Sequence, residues 1–273
     1  MRRMMRSVLF SCLVLGLLAG VGQAQTPTAP YDHIHLGVPD PPAAAAWYEQ
    51  HFGGRRLAEG PDRLMFGSTR LTFLKNDKPQ PSTGSVVDHI GFSVANIEST
   101  MKTLESAGVK VTGPTREVAG LFKLAFVEDP WGTRIEVVED AELLGLHHLH
   151  LRAPEPEELT TWLLAKFGGT RAQLKGRLPG IKYSAPGFSD VWVLVQKGDA
   201  TPSEGHAIDH VSWRSTGPLA KFVDGLRTGG VPVTVEPREA KLPNGPAITV
   251  AFVTGPGGLK IELVERPGLK PGE

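Results

Sequence analysis

Apolar residues alternate with histidine and other polar residues in four short segments of the chain, and this period of two predicts four β-strands. Each segment is followed by apolar residues at helical spacing and then by a glycine. From the histidine that opens each segment to that glycine, the separations are 20, 19, 20 and 19 residues. Such regularity indicates four copies of one unit. The segments are Asp32-His33-Ile34-His35-Leu36, Asp88-His89-Ile90-Gly91-Phe92, His147-His148-Leu149-His150-Leu151 and Asp209-His210-Val211-Ser212-Trp213.

Each unit is predicted to continue through one helix and three further strands. Caps, prolines and glycines predict four helices, which begin near Asp40, Asn96, Pro154 and Thr216 and end before Gly53, before Gly108, at Phe167 and at Arg227. Short strands separated by turn residues follow, as in residues 109–111, 124–127 and 134–138. The predicted unit is βαβββ, and the predicted fold class is α+β.

The four units form two similar halves. His33 and His148 are 115 residues apart, His89 and His210 are 121 apart, and Glu136 and Glu262 are 126 apart. We therefore expect two domains, residues 31–140 and 146–266, of two units each. Residues 25–30 are expected to be a loose leader and residues 267–273 a loose tail.

The chain resembles the vicinal oxygen chelate (VOC) superfamily, which includes glyoxalase I, extradiol dioxygenases, fosfomycin-resistance proteins, methylmalonyl-CoA epimerase and bleomycin-resistance proteins. The resemblance covers nearly all of residues 31–266. It rests on the four histidine strands and on the segments Trp47–Gly54, Trp162–Gly169 and Asp129–Glu136. It implies that two βαβββ units pair so that their sheet encloses a cup, an incomplete barrel, with metal ligands on its inner face. Four units would then make two cups.

The resemblance also implies the metal ligands, which are one histidine from each paired unit and a glutamate from the last strand of the second. The cofactor would be a divalent metal, Zn, Mn, Fe or Ni, in one cup or in both. Glyoxalase-like sites add a fourth ligand from another strand, and residues 70–74 and 191–195 supply no carboxylate for it. The expected sets are His33, His89 and Glu136 in the N-terminal cup, and His148, His210 and Glu262 in the C-terminal cup.

Two further histidines, His35 and His150, are candidate catalytic residues. Each lies two positions beyond a proposed ligand, so strand alternation turns it towards the same face. Each could transfer protons, because imidazole titrates near neutral pH, or it could only hydrogen-bond within the cup. His147 is expected to point to the opposite face and not to be a ligand.

Three functions are consistent with these residues. The first is a metal-dependent enzyme that acts on a small oxygen-chelating substrate by isomerase, lyase or addition chemistry. The second is a metal-free protein that binds or sequesters a small molecule, of the bleomycin-resistance type. Extradiol dioxygenase is a minority alternative, because Phe126 and Phe252 stand where the resemblance places a tyrosine, and Gly255 replaces a polar residue.

The first 24 residues have the order of a secretory signal, with a basic start, an apolar run from Val8 to Leu18 and small residues up to Ala24. Cleavage would remove Cys12, the only cysteine, and the protein would be periplasmic or secreted, with no membrane attachment. The balance of 29 basic and 29 acidic residues gives no indication of a nucleic-acid partner. The expected partner is a small-molecule substrate, and a homodimer is left open.

Overall fold

A computed structural model describes residues 26–268 and 270. The predicted signal, residues 1–24, lies outside the described residues, as do residues 269 and 271–273 of the predicted tail. Among the described helices, none is both long and apolar enough to cross a membrane.

The chain folds into the four predicted βαβββ units. The first unit comprises β1 (Tyr31–Val38), α1 (Pro41–Phe52), β2 (Arg55–Arg56), β3 (Arg63–Phe66) and β4 (Thr69–Lys75). The second comprises β5 (Val87–Ser93), α2 (Ile97–Ser106), β6 (Lys110–Glu117), β7 (Lys123–Glu128) and β8 (Arg134–Val138). The third comprises β9 (Gly145–Ala153), α3 (Pro156–Phe167), β10 (Thr170–Leu174), β11 (Leu178–Tyr183) and β12 (Val191–Lys197). The fourth comprises β13 (Ile208–Arg214), α4 (Leu219–Thr228), β14 (Val233–Lys241), β15 (Ala247–Gly255) and β16 (Leu259–Glu265).

The first two helices begin where their capping residues predicted. The Asp40 side chain accepts a hydrogen bond from the Ala43 backbone N–H at 3.1 Å, and Asn96 caps α2 in the same way. The other two helices begin later than expected. Proline disfavours helical dihedrals in the residue before it, so Pro156 and Pro218 delay the starts of α3 and α4.

The units pair across the two halves of the sequence to form two mixed eight-stranded sheets. One sheet has the order β14-β15-β16-β13-β1-β4-β3-β2 and combines the first and fourth units. The other has the order β10-β11-β12-β9-β5-β8-β7-β6 and combines the second and third units. In the centre of each sheet two histidine strands run antiparallel, β1 beside β13 and β5 beside β9. The expected pairing of units within each half is therefore wrong, although the α+β class and the paired units are confirmed.

The lengths of the connections account for this pairing. A short link, residues 139–144, joins β8 to β9 and keeps the second and third units in one sheet. Longer links, residues 76–86 and 198–207, carry the chain from one sheet to the other. These two links run side by side, with isolated bridges from Gln80 to His206 and from Ser85 to Thr201.

The helices cover the sheet faces that do not carry the histidines, and both sheets share one apolar core. Within the N-terminal half, Phe52 of α1 stacks on Phe92 of β5 with ring centroids 4.6 Å apart. Within the C-terminal half, Phe167 of α3 stacks on Trp213 of β13 at 4.4 Å. Each half is thus packed internally by its helices, whereas the sheets and their cups join the halves. The expected domain boundaries stay a prediction.

Candidate metal centres

Four side chains converge on the inner face of the sheet made by the first and fourth units. We call His33, His35, His210 and Glu262 the first centre; each offers one donor atom, and the four atoms lie within 4.8 Å of one another. Glu262 Oε2 is 3.2 Å from His33 Nε2, 3.0 Å from His210 Nε2 and 3.5 Å from His35 Nδ1. The Nδ1 atom of His35 also contacts Nε2 of His210.

The sheet made by the second and third units carries the same arrangement. Its second centre consists of His89, Glu136, His148 and His150, again with donor atoms within 4.8 Å of one another. Glu136 Oε2 is 3.1 Å from Nε2 of both His89 and His148. The Nδ1 atom of His150 is buried, and no described residue gives it a hydrogen bond.

Register explains why the residues meet. In the first sheet, His35 of β1 lies opposite His210 of β13. Ser212 of β13 lies between its two neighbours, His33 on β1 and Glu262 on β16. In the second sheet His89 lies opposite His150, and Gly91 lies between His148 and Glu136. The histidines and glutamate therefore come from three adjacent strands.

Aspartates fix the orientation of three ligand histidines. Nδ1 of His33, His89 and His210 lies 2.7, 2.7 and 2.6 Å from an Oδ1 atom of the preceding aspartate, which are Asp32, Asp88 and Asp209. An ionised carboxylate only accepts hydrogen bonds, so each Nδ1 carries the proton and donates it. In a neutral imidazole this tautomer leaves the Nε2 lone pair directed at the glutamate.

This donor arrangement fits a divalent cation. Nε2 atoms 3.0 to 3.2 Å from a carboxylate oxygen need either a proton or a metal ion between them. Burial lowers the pKa of His33 and His89, but the neighbouring carboxylates raise it more, and a metal ion would replace the proton on Nε2. Ligands about 2.0 to 2.2 Å from one ion are roughly 3.0 to 3.4 Å apart in octahedral or tetrahedral geometry, in the same range as the separations here. The orphaned Nδ1 of His150 is a further donor that a metal ion would satisfy.

The electrostatics of the centres keep the glutamates ionised. Burial raises the pKa of Glu136 and Glu262, but hydrogen bonds and charge from the surrounding histidines lower it more, so that the pKa of each ends well below its usual range. Burial and the charges of neighbouring histidines lower the pKa of His35, and they lower that of His150 to about 2. Both side chains are therefore neutral at pH 7, the form that binds metal or accepts a proton.

Each orienting aspartate is paired with a cation. Arg266 Nη2 lies 2.9 Å from Asp32, Arg134 Nη1 lies 2.8 Å from Asp88, and Lys260 Nζ lies 3.0 Å from Asp209, measured in each case to Oδ1. These pairs stabilise the buried carboxylates that hold the histidines.

All eight predicted site residues lie in the two centres, but they are grouped differently from the expected sets. His33 lies with His210 and Glu262, and His89 with His148 and Glu136. The expected combination of His33 with His89 does not occur, because their strands are in different sheets. The expected combination of His148 with His210 fails for the same reason.

The strands expected to supply a fourth carboxylate, residues 70–74 and 191–195, place Thr72 opposite His35 and Leu194 opposite His150. The two histidines themselves bring a fourth donor atom to each centre. Strand alternation predicts both on the inner face, displaced from the ligands, and their catalytic role stays a prediction.

Phe126 and Phe252, which replace the tyrosine of the resemblance, pack against the centres. Their ring centroids lie 5.4 Å from that of His89 and 5.3 Å from that of His210, respectively. Each centre thus has an apolar ring at the position where the resemblance implies a tyrosine hydroxyl.

The orienting aspartates are not among the site residues predicted from the sequence. The signal was present, because aspartate precedes the ligand histidine in three of the four repeats. His147 takes this place in the other repeat, and it is in neither group of donors; its Nδ1 lies 2.8 Å from Nδ1 of His148. Burial and the neighbouring His148 lower the pKa of His147 to about 4.

Comparison with known proteins agrees with this architecture. Glyoxalase I from Zea mays superposes with a TM-score of 0.67 and 20% identity over 87% of this chain and 92% of that chain. A candidate dioxygenase from Bacillus subtilis gives 0.63 and 19% over 88% and 86%. At these low identities, the superpositions show a shared fold alone. Among curated proteins, no sequence matches the chain. Residues 31–137 match the model of the Glyoxalase/Bleomycin resistance protein/Dioxygenase superfamily. The first two units of the chain therefore match that superfamily, in agreement with the resemblance seen in the motifs.

Proposed function

We propose that the protein is a metal-dependent enzyme that acts on a small oxygen-chelating substrate by isomerase, lyase or addition chemistry. The observation that carries this proposal is the pair of buried centres, each with three imidazoles and one carboxylate whose donor atoms converge. A divalent ion bound there would act as a Lewis acid that polarises a chelating oxygen.

The residues around the first centre support a polar small-molecule substrate. A cavity of about 500 Å³ is lined by Thr234, Phe252, Thr254 and Lys260, among others. Phe252 and Lys260 share the sheet face of Glu262, because Phe252 lies opposite it and Lys260 precedes it by two residues. This cavity reaches the first centre through Phe252, whose ring packs against His210, and its lining includes two threonines and the ion pair of Lys260 with Glu204.

His35 borders the opening of the first centre. Its side chain is 14% exposed, compared with 2%, 3% and 6% for His33, His210 and Glu262. Within the donor cluster it is the group best placed to meet both substrate and solvent. We therefore propose that neutral His35, and His150 in the second centre, accept a proton from the substrate.

The reaction can be tested by assaying 2-oxoaldehydes with thiol, catechols and epoxides after removal of metal and reconstitution with Zn²⁺, Mn²⁺, Fe²⁺ or Ni²⁺. We expect at least one metal to restore turnover that the chelator abolished. Tight binding of a compound by the metal-free protein, with no turnover under any metal, would support the sequestering alternative instead.

Replacement of His35 by Gln, and of His150 by Gln in a second variant, is expected to lower turnover by about 10²-fold or more, the usual scale for loss of a general acid or base. Metal content should be retained, because two histidines and the glutamate remain in each centre. Elemental analysis of the same samples provides the check. Loss of one metal equivalent would identify the residue as a ligand and contradict the catalytic role.

We also propose that the protein is periplasmic or secreted, on the basis of the residue order in the first 24 positions. Mass spectrometry of the protein from its native host should show a chain that begins at Gln25. Retention of Met1 or Cys12 in that protein would rule out this cleavage.

A further inference from the structure

One ligand histidine is held differently from the other three. His33, His89 and His210 each donate from Nδ1 to the aspartate before them, whereas Nδ1 of His148 faces Nδ1 of His147 at 2.8 Å. Two nitrogens at this distance share one proton, so one ring donates and the other accepts.

The surroundings of His147 decide which ring donates. Nε2 of His147 lies 3.3 Å from Oδ2 of Asp140, an ionised carboxylate that can only accept. His147 therefore carries its proton on Nε2, and its Nδ1 lone pair accepts the proton of His148 Nδ1. Nε2 of His148, 3.1 Å from Glu136, is then the nitrogen that would bind a metal ion.

The two centres achieve this tautomer by different chains of residues. The glutamates Glu136 and Glu262 occupy equivalent places in β8 and β16. Four residues after each glutamate, the second centre has Asp140 and the first has Arg266. Before the equivalent histidines, the second centre has His147 and the first has Asp32. In the first centre Arg266 binds Asp32, which holds His33 directly. In the second centre Lys175 Nζ lies 2.8 Å from Asp140, and His147 bridges that carboxylate to His148.

Gly91 provides the space for this arrangement. It lies between His148 and Glu136, as Ser212 lies between His33 and Glu262 in the first centre. A Cβ atom at Gly91 would be 2.1 Å from Cε1 of the His148 ring, so the ring occupies volume that any larger residue would fill. In the first centre, with Ser212 at this place, the ring centroids of His33 and His35 are 4.6 Å apart, compared with 5.8 Å for His148 and His150.

We propose that His147 is a positioning residue of the second centre, which transmits the orientation imposed by Asp140 to His148 and so presents His148 Nε2 to a metal ion. The proposal rests on the proposed metal-dependent function, but the His147 tautomer that it requires is set by Asp140 without metal. His148 is then oriented by a neutral imidazole, whereas the equivalent His33 in the first centre is oriented by an aspartate that is paired with an arginine.

The tautomers can be read in the metal-free protein at pH 7 from ¹H–¹⁵N correlation spectra of the imidazole rings. We expect His147 to be neutral with its proton on Nε2. In Asp140→Ala, the His147 ring should shift towards mixed tautomers. A His147 ring protonated on Nδ1 in the unmodified protein would overturn the proposal, whatever the metal content.

Metal affinity supplies the second test, measured with Zn²⁺ and a competing chelator in a protein whose first centre is removed by His210→Ala and Glu262→Ala. In this background, His147→Leu should weaken binding by about 10- to 100-fold, the usual effect of losing such an orienting partner. His147→Asn is the matched control, because its amide oxygen can take the place of Nδ1 and accept from His148; it should bind within a few-fold of the parent. Circular dichroism confirms folding of each variant.

The outcomes separate the two proposals. Equal affinity in the Leu and Asn variants would contradict the positioning role. Absence of Zn²⁺ binding in the parent background, together with the expected tautomer of His147, would contradict a metal site in the second centre and leave the hydrogen-bonded chain established.

Discussion

Replacement of His33 and His210 together by Ala is expected to empty one metal centre and to leave about one metal equivalent in the protein, because both residues lie in the first centre. Replacement of His33 and His89 together removes one ligand from each centre and should weaken binding in both. The two double variants differ by a single position, and each removes two imidazoles.

This comparison tests how the units pair. If the units paired within each half of the sequence, His33 and His89 would share a site, and the outcomes would be exchanged. Metal titration with elemental analysis distinguishes the two patterns, and thermal unfolding of both variants controls for loss of the fold. One remaining equivalent in His33→Ala with His89→Ala would contradict the observed sheets.

Replacement of Arg266 by Met is expected to destabilise the protein by about 3 to 5 kcal/mol, since it leaves a buried charge without its main partner. Arg266 donates to Asp32 from Nε and Nη2, at 3.0 and 2.9 Å from Oδ1. Asp32 is fully buried, and the next cation, Arg70, lies 3.8 Å away. The same change should release His33 from its orientation and weaken metal binding in the first centre.

Urea unfolding of the metal-free protein measures the effect. The variant Asp32→Asn with Arg266→Met removes both charges and should recover part of the lost stability. An Arg266→Met protein as stable as the wild type would show that the buried pair contributes nothing.

The pH dependence of stability follows from the same pair. Burial raises the pKa of Asp32, but Arg266 and His33 lower it more, so the folded-state pKa lies well below the ordinary value of 3.8. The pair therefore stabilises the fold above pH 4, and this contribution is lost as the pH falls through the folded-state pKa. The slope of stability against pH below 4 should be smaller in Arg266→Met.

The sequence predicted much of the fold because its signals are local. Alternation, caps and glycines lie within each unit, so the four βαβββ units and the inner-face histidines could be derived from them. The helix starts at α3 and α4 were misplaced by two or three residues, since Pro156 and Pro218 act on the residues before them.

The pairing of units could not be derived in the same way. Each cup combines one odd and one even unit, and the glutamates occur only in even units. Pairing within each half and pairing across the halves both give two histidines and one glutamate per cup. The types of ligand in a cup therefore do not distinguish the two pairings. The deciding features are the short link at residues 139–144 and the antiparallel contacts of β1 with β13 and of β5 with β9.

The central claim is that the chain builds two divalent-metal centres. The most direct measurement is elemental analysis of protein purified without a metal-affinity tag and then offered Zn²⁺, Mn²⁺ and Fe²⁺ in turn. The two sets of convergent donors predict about two equivalents of bound metal per chain. Fewer than about 0.2 equivalents with every metal would contradict the claim and leave the centres as hydrogen-bonded clusters.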